Sequence, residues 1–350
     1  MSRQIEPHGS PADWPARLRE LCGRIRREAR SAVAAAVEAG DLDLVARPVR
    51  QGAGDVTYAI DARVEAAIEL WFEEIARNEP LSLLTEDTGW LHRGPDGRGG
   101  TRALEGFDHG GPRLALDPID GTRNLMADLR SAWTVVSFAP PGPLAPRLAD
   151  LSYGLVSEIP DSRGGRYRSL EANLGPPCTL ELRELSTDEL LSRRTLSPNS
   201  DARVDHGYFP FFRYSPDQRP ALAGIETTFA ERLRVHEGAN LRHFFDDQYI
   251  SNAGQLFLLS IGTYRMIADV RGWLARRMGT TTVNSHPYDV AGAIFCARAA
   301  GCVVDGPLGA ALDFELDVTT AVDFVGFVNG ATARRLRPHL DVALETAPRA

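Results

Sequence analysis

Residues Arg113 to Leu116 read as a strand, and that strand runs without a spacer into Asp117-Pro-Ile-Asp-Gly-Thr122. This junction is the tightest local constraint in the chain. Pro118 stiffens the turn, and Gly121 permits close approach of the backbone. Asp117 and Asp120 can then point to one side, with the Ile119 carbonyl between them. The Thr122 hydroxyl can orient a water, and backbone N–H groups at the start of the following helix can hold a phosphate. Taken alone, the six residues are ordinary turn formers. Their meaning depends on what the rest of the chain brings to them.

Three further carboxylate positions stand at the ends of expected elements. Glu86 and Asp87 follow a short strand at Leu81–Leu84. Asp61 sits just ahead of an apolar stripe (Val64, Ile68, Phe72, Ile75) and reads as a helix N-cap. Asp289 opens a helix from Pro287 to Ala300 and is preceded by His286. Acidic residues at element ends can converge at one edge of a scaffold. Converging carboxylates repel unless they are protonated or bridged by cations. An all-oxygen set, without His or Cys, favours hard cations such as Mg²⁺ or Mn²⁺.

Composition removes competing chemistries. The chain has 350 residues and a formal charge of −8, and all 39 of its basic Lys/Arg positions are arginine. Without lysine there is no Schiff-base enzyme and no Walker-type phosphate loop. The acidic balance argues against nucleic-acid binding. Cys22, Cys178, Cys296 and Cys302 form no C-x-x-C pair and no zinc spacing, so they read as free thiols of a reducing compartment. The N-terminus lacks a signal-peptide apolar stretch, and the most apolar run, Val290 to Val304, is interrupted by Arg298. A cytoplasmic protein with no membrane contact is expected.

The remaining pattern is mixed α/β. A helix is expected over Ala12–Ala39, and a glycine-rich, exposed and mobile loop over Gly89–Pro112. Strands are expected at Trp133–Ala139, Leu151–Ser157, Met266–Val270, Val303 and Phe324–Val328, with helices from Gly254 and from Ala331. Residues 161–245 read as strands plus an irregular insertion, whose aromatics (Tyr208, Phe209, Phe211, Phe212, Tyr214) form either a packed lid or a contact surface.

The ordered motifs resemble the inositol monophosphatase family, part of the lithium-sensitive, Mg-dependent phosphatases that include fructose-1,6-bisphosphatase and bisphosphate nucleotidase. Gly54-Asp55-Val-Thr-Tyr-Ala-Ile-Asp61 is similar to the family's N-terminal element, Thr85-Glu86-Asp87 to its acidic pair, Leu116–Asn124 to its central signature, and Tyr288–Gly301 to its C-terminal segment. The resemblance implies a layered αβαβα sandwich forming a single domain over residues 12–345, with an N-terminal α+β half to about 140 and a C-terminal α/β half from about 141. It implies two or three Mg²⁺ ions. Glu86, Asp117 and the Ile119 carbonyl would hold the first, and Asp117, Asp120 and Asp289 the second, with a looser third near Glu86. Asp61 and Thr122 would activate the attacking water alongside Glu86. Asp120, Gly121, Thr122, Asn252, Ala253 and Asp289 would contact a small phosphorylated substrate, and a homodimer is expected.

Several positions depart from the family pattern. Asp87 replaces a second Glu, and Tyr288 the usual Trp. Gly164-Gly165-Arg166-Tyr167 is only a loose counterpart of a family substrate turn. Arg47 and Arg50 stand where relatives place a lysine. A bisphosphatase using extra arginines of residues 160–245, or a homologue that binds but no longer catalyses, are the alternatives. A haloacid dehalogenase phosphatase is excluded, because Asp117 and Asp120 are three apart rather than two.

Overall fold

In a computed structural model, which describes residues 13–51, 56–175, 177–238 and 241–349, nine strands make one sheet. In chain order the elements are α1 (Trp14–Ala39), α2 (Asp43–Ala46), β1 (Pro48–Gln51), β2 (Val56–Tyr58), α3 (Ala59–Ala76), β3 (Leu81–Thr85), β4 (Gly89–Pro95), β5 (Thr101–Ala103), β6 (Arg113–Asp120), α4 (Thr122–Met126), β7 (Ala132–Ala139), β8 (Tyr153–Ile159), β9 (Arg166–Asn173), β10 (Cys178–Glu184) and β11 (Leu190–Leu196). There follow β12 (Gly207–Tyr208), α5 (Arg219–Glu237), β13 (Phe244–Phe245), α6 (Asn252–Ser260), β14 (Met266–Asp269), α7 (Arg271–Met278), α8 (Pro287–Ala299), β15 (Val303–Asp305), β16 (Phe324–Phe327) and α9 (Gly330–Glu345).

The large sheet runs β11-β10-β9-β8-β7-β6-β3-β4-β5, and only the β3–β6 pair is parallel. Side-chain alternation along the strands feeds two cores. Leu114 and Leu116 of β6, with Ala132 and Val136 of β7, meet α1 and α3 on one face. Ala115, Trp133 and Val135 meet α6 and α8 on the other. The same alternation recurs in the three-stranded sheet β14-β16-β15. There Ile267 and Phe324 face α6 and α8, while Met266, Ala268, Val325 and Phe327 face α5, α7 and α9. The layers are therefore helix, sheet, helix, sheet, helix, the sandwich that the resemblance implied.

One close approach sets the spacing of the central layers. A Cβ at Gly292 of α8 would lie 2.2 Å from the Val136 carbonyl oxygen, so only glycine lets this helix seat on the sheet. Since Asp289 opens α8, that seating also places the acidic residue.

Two expectations from sequence need correction. Gly89–Pro112 is not one loop: β4 and β5 extend the sheet there, with Leu91 packing against the inner core. Glycine content masked a strand whose partner, β3, is near in sequence. Residues 166–196 are three antiparallel strands, as expected for part of that stretch, but residues 219–237 are a helix rather than irregular chain. The aromatics that follow are mostly core: Phe209 and Phe211 are fully buried under α5, and Phe212 is buried beneath the Arg271 guanidinium.

Candidate active site

The acidic residues gather where β6 ends. Between Asp117 and Asp120 the β6–β7 register slips: Asp117 faces Val135 and Asp120 faces Trp133. This is a bulge, and Pro118, which has no N–H to donate, lies inside it. The Pro118 carbonyl instead accepts the Thr134 hydroxyl at 2.9 Å. Asp117 Oδ1 accepts the Ile119 N–H at 2.9 Å, and the Thr122 hydroxyl donates to the Ile119 carbonyl at 2.8 Å. Gly121 has φ +93, and a Cβ there would stand 3.1 Å from Ser251, so the turn requires glycine.

Asp289 and Asp61 are held in the same way. Neither is the N-cap. Each is the third residue of its helix, and its carboxylate reaches back to the capping residue's N–H. Asp289 accepts from His286 at 2.7 Å and Asp61 from Tyr58 at 2.9 Å. Gly54 and Asp55 of the N-terminal motif lie outside the described residues.

Electrostatics shows that the central carboxylates share one space. Burial, then the charges of Asp289, Asp120 and Glu86, pushes the Asp117 carboxyl well above its usual range. Asp289 is pushed up as well, by burial and by Asp120 and Glu86, against the His286 N–H. Asp120 is pushed up to about 6 by burial, against hydrogen bonds from Ser251, Ala253 and Asn252 and the charge of Arg271. Asp117, Asp120 and Asp289 each retain a partly exposed edge, and Glu86 lies at the surface, so the cluster opens to solvent.

The chain after β13 closes over Asp120. Ser251 caps α6, and its hydroxyl and the Ala253 N–H both donate to Asp120 Oδ2 at 2.6 Å. The Asn252 side chain turns away, into a buried network with Asp269 and Ser285. Arg271 joins that network through Asp269 at 2.7 Å, and its charge reaches Asp120 and Asp289. Tyr214 packs beside both Arg271 and Arg123. Sequence reasoning did not single out Ser251 as a support of Asp120, although a Ser before an apolar run is a capping signal. Nothing in the sequence marks Arg271.

Other expected positions sit differently. Arg50 does not face the acidic centre freely. It pairs with Asp87 at 2.7 Å and approaches Glu65 at 3.6 Å. Tyr167, from the loose glycine-turn counterpart, lies under the Arg26 guanidinium at 3.4 Å. It lines a cavity of about 620 Å³ between α1 and β8–β10, which contains none of the acidic cluster.

The chain aligns over 94% of its length with all of a protein described as an inositol monophosphatase–fructose 1,6-bisphosphatase, with a TM-score of 0.62 at 13% identity. The fold is that of the inositol monophosphatases. The extragenic suppressor protein SuhB of Bartonella henselae matches 96% of this chain with 99% of its own, with a TM-score of 0.59 at 13% identity. Inositol monophosphatase II of Staphylococcus aureus, in a structure with bound 2′-AMP, matches 95% with 98% of its own chain, with a TM-score of 0.55 at 14% identity. That staphylococcal enzyme has also been crystallised with inositol monophosphate. No protein-family model matches the sequence, and no curated protein is significantly similar to it. The inositol monophosphatase fold is thus shared at 13–14% sequence identity. Among the described residues, no helix is long and apolar enough to cross a membrane.

Proposed function

We propose that this chain is a Mg²⁺-dependent phosphatase that hydrolyses the phosphate monoester of a small sugar, inositol or nucleotide. The convergence of Asp117, Asp120, Asp289 and Glu86 carries the reading. Three segments far apart in sequence bring carboxylates into a shared space, where Asp120 and Glu86 raise the cost of ionising both Asp117 and Asp289. The donor set is all oxygen, which suits Mg²⁺, with Mn²⁺ as a substitute.

Glu86, Asp117 and the Ile119 carbonyl would hold one ion, Asp117, Asp120 and Asp289 a second, and the surface near Glu86 a looser third. Bound ions would neutralise phosphate charge and acidify a water. The Thr122 hydroxyl, fixed on the Ile119 carbonyl, and Asp61, fixed on the Tyr58 N–H, would orient that water. The Gly121 and Thr122 backbone faces the phosphate, since no side chain at 121 intervenes. Asn252 and Ala253 would border the substrate beside Asp120, with the Asn252 side chain committed to Asp269 and the Ala253 N–H to Asp120. On this reading the enzyme acts as a cytoplasmic homodimer sensitive to Li⁺.

In the bisphosphatase alternative, a second phosphate would compete with carboxylates for several of the arginines in residues 160–245. Arg163, Arg168, Arg183, Arg203 and Arg213 are each paired with a carboxylate. The decisive experiment is phosphate release from inositol, sugar and nucleotide mono- and bisphosphates, with and without Mg²⁺ and Li⁺. Mg²⁺-dependent release from a monophosphate supports the proposal. No release from any of them refutes it.

A further inference from the structure

A second cluster of ligating side chains lies away from the acidic centre and has different chemistry. It is built by a short ribbon in which β12 and β13 run parallel, with Gly207 opposite Phe244. Just before that pair, the His206 N–H donates to the His243 carbonyl at 3.0 Å. The two histidines are therefore brought to the same end of the ribbon. Their rings stack with centroids 4.3 Å apart, next to Phe245. Asp205 completes the group. Its Oδ1 accepts the N–H groups of Arg242 and His243, both at 2.8 Å. That anchor leaves Oδ2 facing His206 Nε2 at 3.8 Å. One ligand atom from each of Asp205, His206 and His243 lies within 4.8 Å of the others.

We propose that Asp205, His206 and His243 form a binding site for a borderline transition-metal cation of the Zn²⁺, Co²⁺ or Ni²⁺ class. Two imidazoles with one carboxylate suit such ions and not Mg²⁺, which prefers an all-oxygen shell. Bonds of roughly 2.0–2.2 Å in a tetrahedral site place neighbouring ligand atoms roughly 3.4 Å apart. The three groups must close by at most about 1.4 Å, and both rings are free enough to turn, being 57% and 50% exposed. The open side leaves a position for water. Among the described residues, Arg242 is the one arginine close to Asp205 Oδ2, at 3.5 Å, and at 70% exposure it can swing away.

The consequence is mechanical. His206 and His243 bracket the whole segment carrying α5, and the chain leaving β13 continues to Ser251 and Ala253, which hold Asp120. A bound ion would cross-link the ends of this 37-residue span and restrict the unfolded chain as a disulfide does.

The full-length protein, stripped of metal and then saturated with millimolar Mg²⁺ to occupy hard-cation sites, should be titrated with Zn²⁺ by calorimetry and with Co²⁺ by visible absorption. We expect one equivalent of Zn²⁺ at micromolar affinity or tighter, Co²⁺ ligand-field bands, and a Zn²⁺-dependent rise in melting temperature. The double variant His206→Asn, His243→Ala should lose all three by at least tenfold, with its Mg²⁺-dependent phosphate release unchanged. Asn at 206 tolerates the left-handed backbone there, φ +59, which guards against misfolding. Saturable Zn²⁺ binding that persists in the double variant, or no Zn²⁺ binding tighter than about 100 µM in the parent, overturns the proposal.

Discussion

Asp120→Asn should separate what the acidic cluster costs from what it does. In the metal-free protein Asp120 is a carboxyl taken out of water, and burial raises its pKa from 3.8 to about 6. That shift corresponds to about 3 kcal/mol of destabilisation at neutral pH. Its partly exposed edge screens some of this, leaving about 2 kcal/mol. Asparagine keeps the shape and can present its oxygen to Ser251 and Ala253, losing about 1 kcal/mol because those two bonds no longer end on a charge. The metal-free variant should therefore be more stable than the parent at pH 7.5 by about 1 kcal/mol, a melting rise of about 1–3 °C. The sign depends on pH. A carboxyl whose folded pKa is raised binds its proton more tightly when folded, so the parent gains stability as pH falls through about 6 and the variant's advantage disappears by pH 5. Saturating Mg²⁺ should reverse the order, since a ligand at 100 times its Kd adds about 2.7 kcal/mol to the parent and little to the variant. Phosphate release should fall at least a hundredfold. Thermal melts in EDTA and in Mg²⁺ at both pH values test all of this. If Asp120→Asn melts below the parent in EDTA at pH 7.5, or if Mg²⁺ raises both equally, the cluster is not a cation site.

Three further outcomes follow from other parts of the structure. Glu65, pushed up to about 8 by burial and by Asp87, keeps a proton that Asp87, held low by Glu65 and Arg50 despite burial, gives up to it. Folding stability should therefore decline as pH rises from about 4.5 to 8, and Glu65→Gln should flatten that slope in urea titrations across pH. Gly292→Val should cost at least about 3 kcal/mol or prevent soluble expression, because the Val136 carbonyl occupies the space the new side chain needs; denaturation midpoints measure it. Arg26 is buried over Tyr167, its one hydrogen bond among the described residues is a 3.5 Å contact to Ser157, and burial lowers its pKa. Arg26→Met should be neutral or stabilising within about 1 kcal/mol by chemical denaturation, whereas an arginine held by an essential ion pair would cost several.

Much of the site was legible because its signals are local. The strand at Arg113, the proline in the bulge, the glycine at φ +93 and the acidic residues at helix starts each follow from backbone preferences acting over a few residues. The glycine-rich stretch after Glu86 was misread for the converse reason. β4 is a strand because β3 and β5 pair with it on either side, not because of its own propensity. Asp61 reads as a cap in the sequence, yet it is, like Asp289, the third helical residue that bonds back to the cap. The two roles look alike in sequence and differ by one turn of geometry.

From sequence alone came the element types around the site, the identity of the acidic residues, and the exclusion of lysine chemistry. These depend on residue type and short-range spacing. Tertiary structure alone decided that Asp289, 169 residues beyond Asp120, shares its electrostatic space. It also decided that Ser251 and Arg271 support the cluster, and that Asn252 turns from it. Two histidines 37 residues apart stack beside an aspartate for the same reason. Burial and through-space charge act on distance in the folded chain, and that distance has no counterpart in sequence separation.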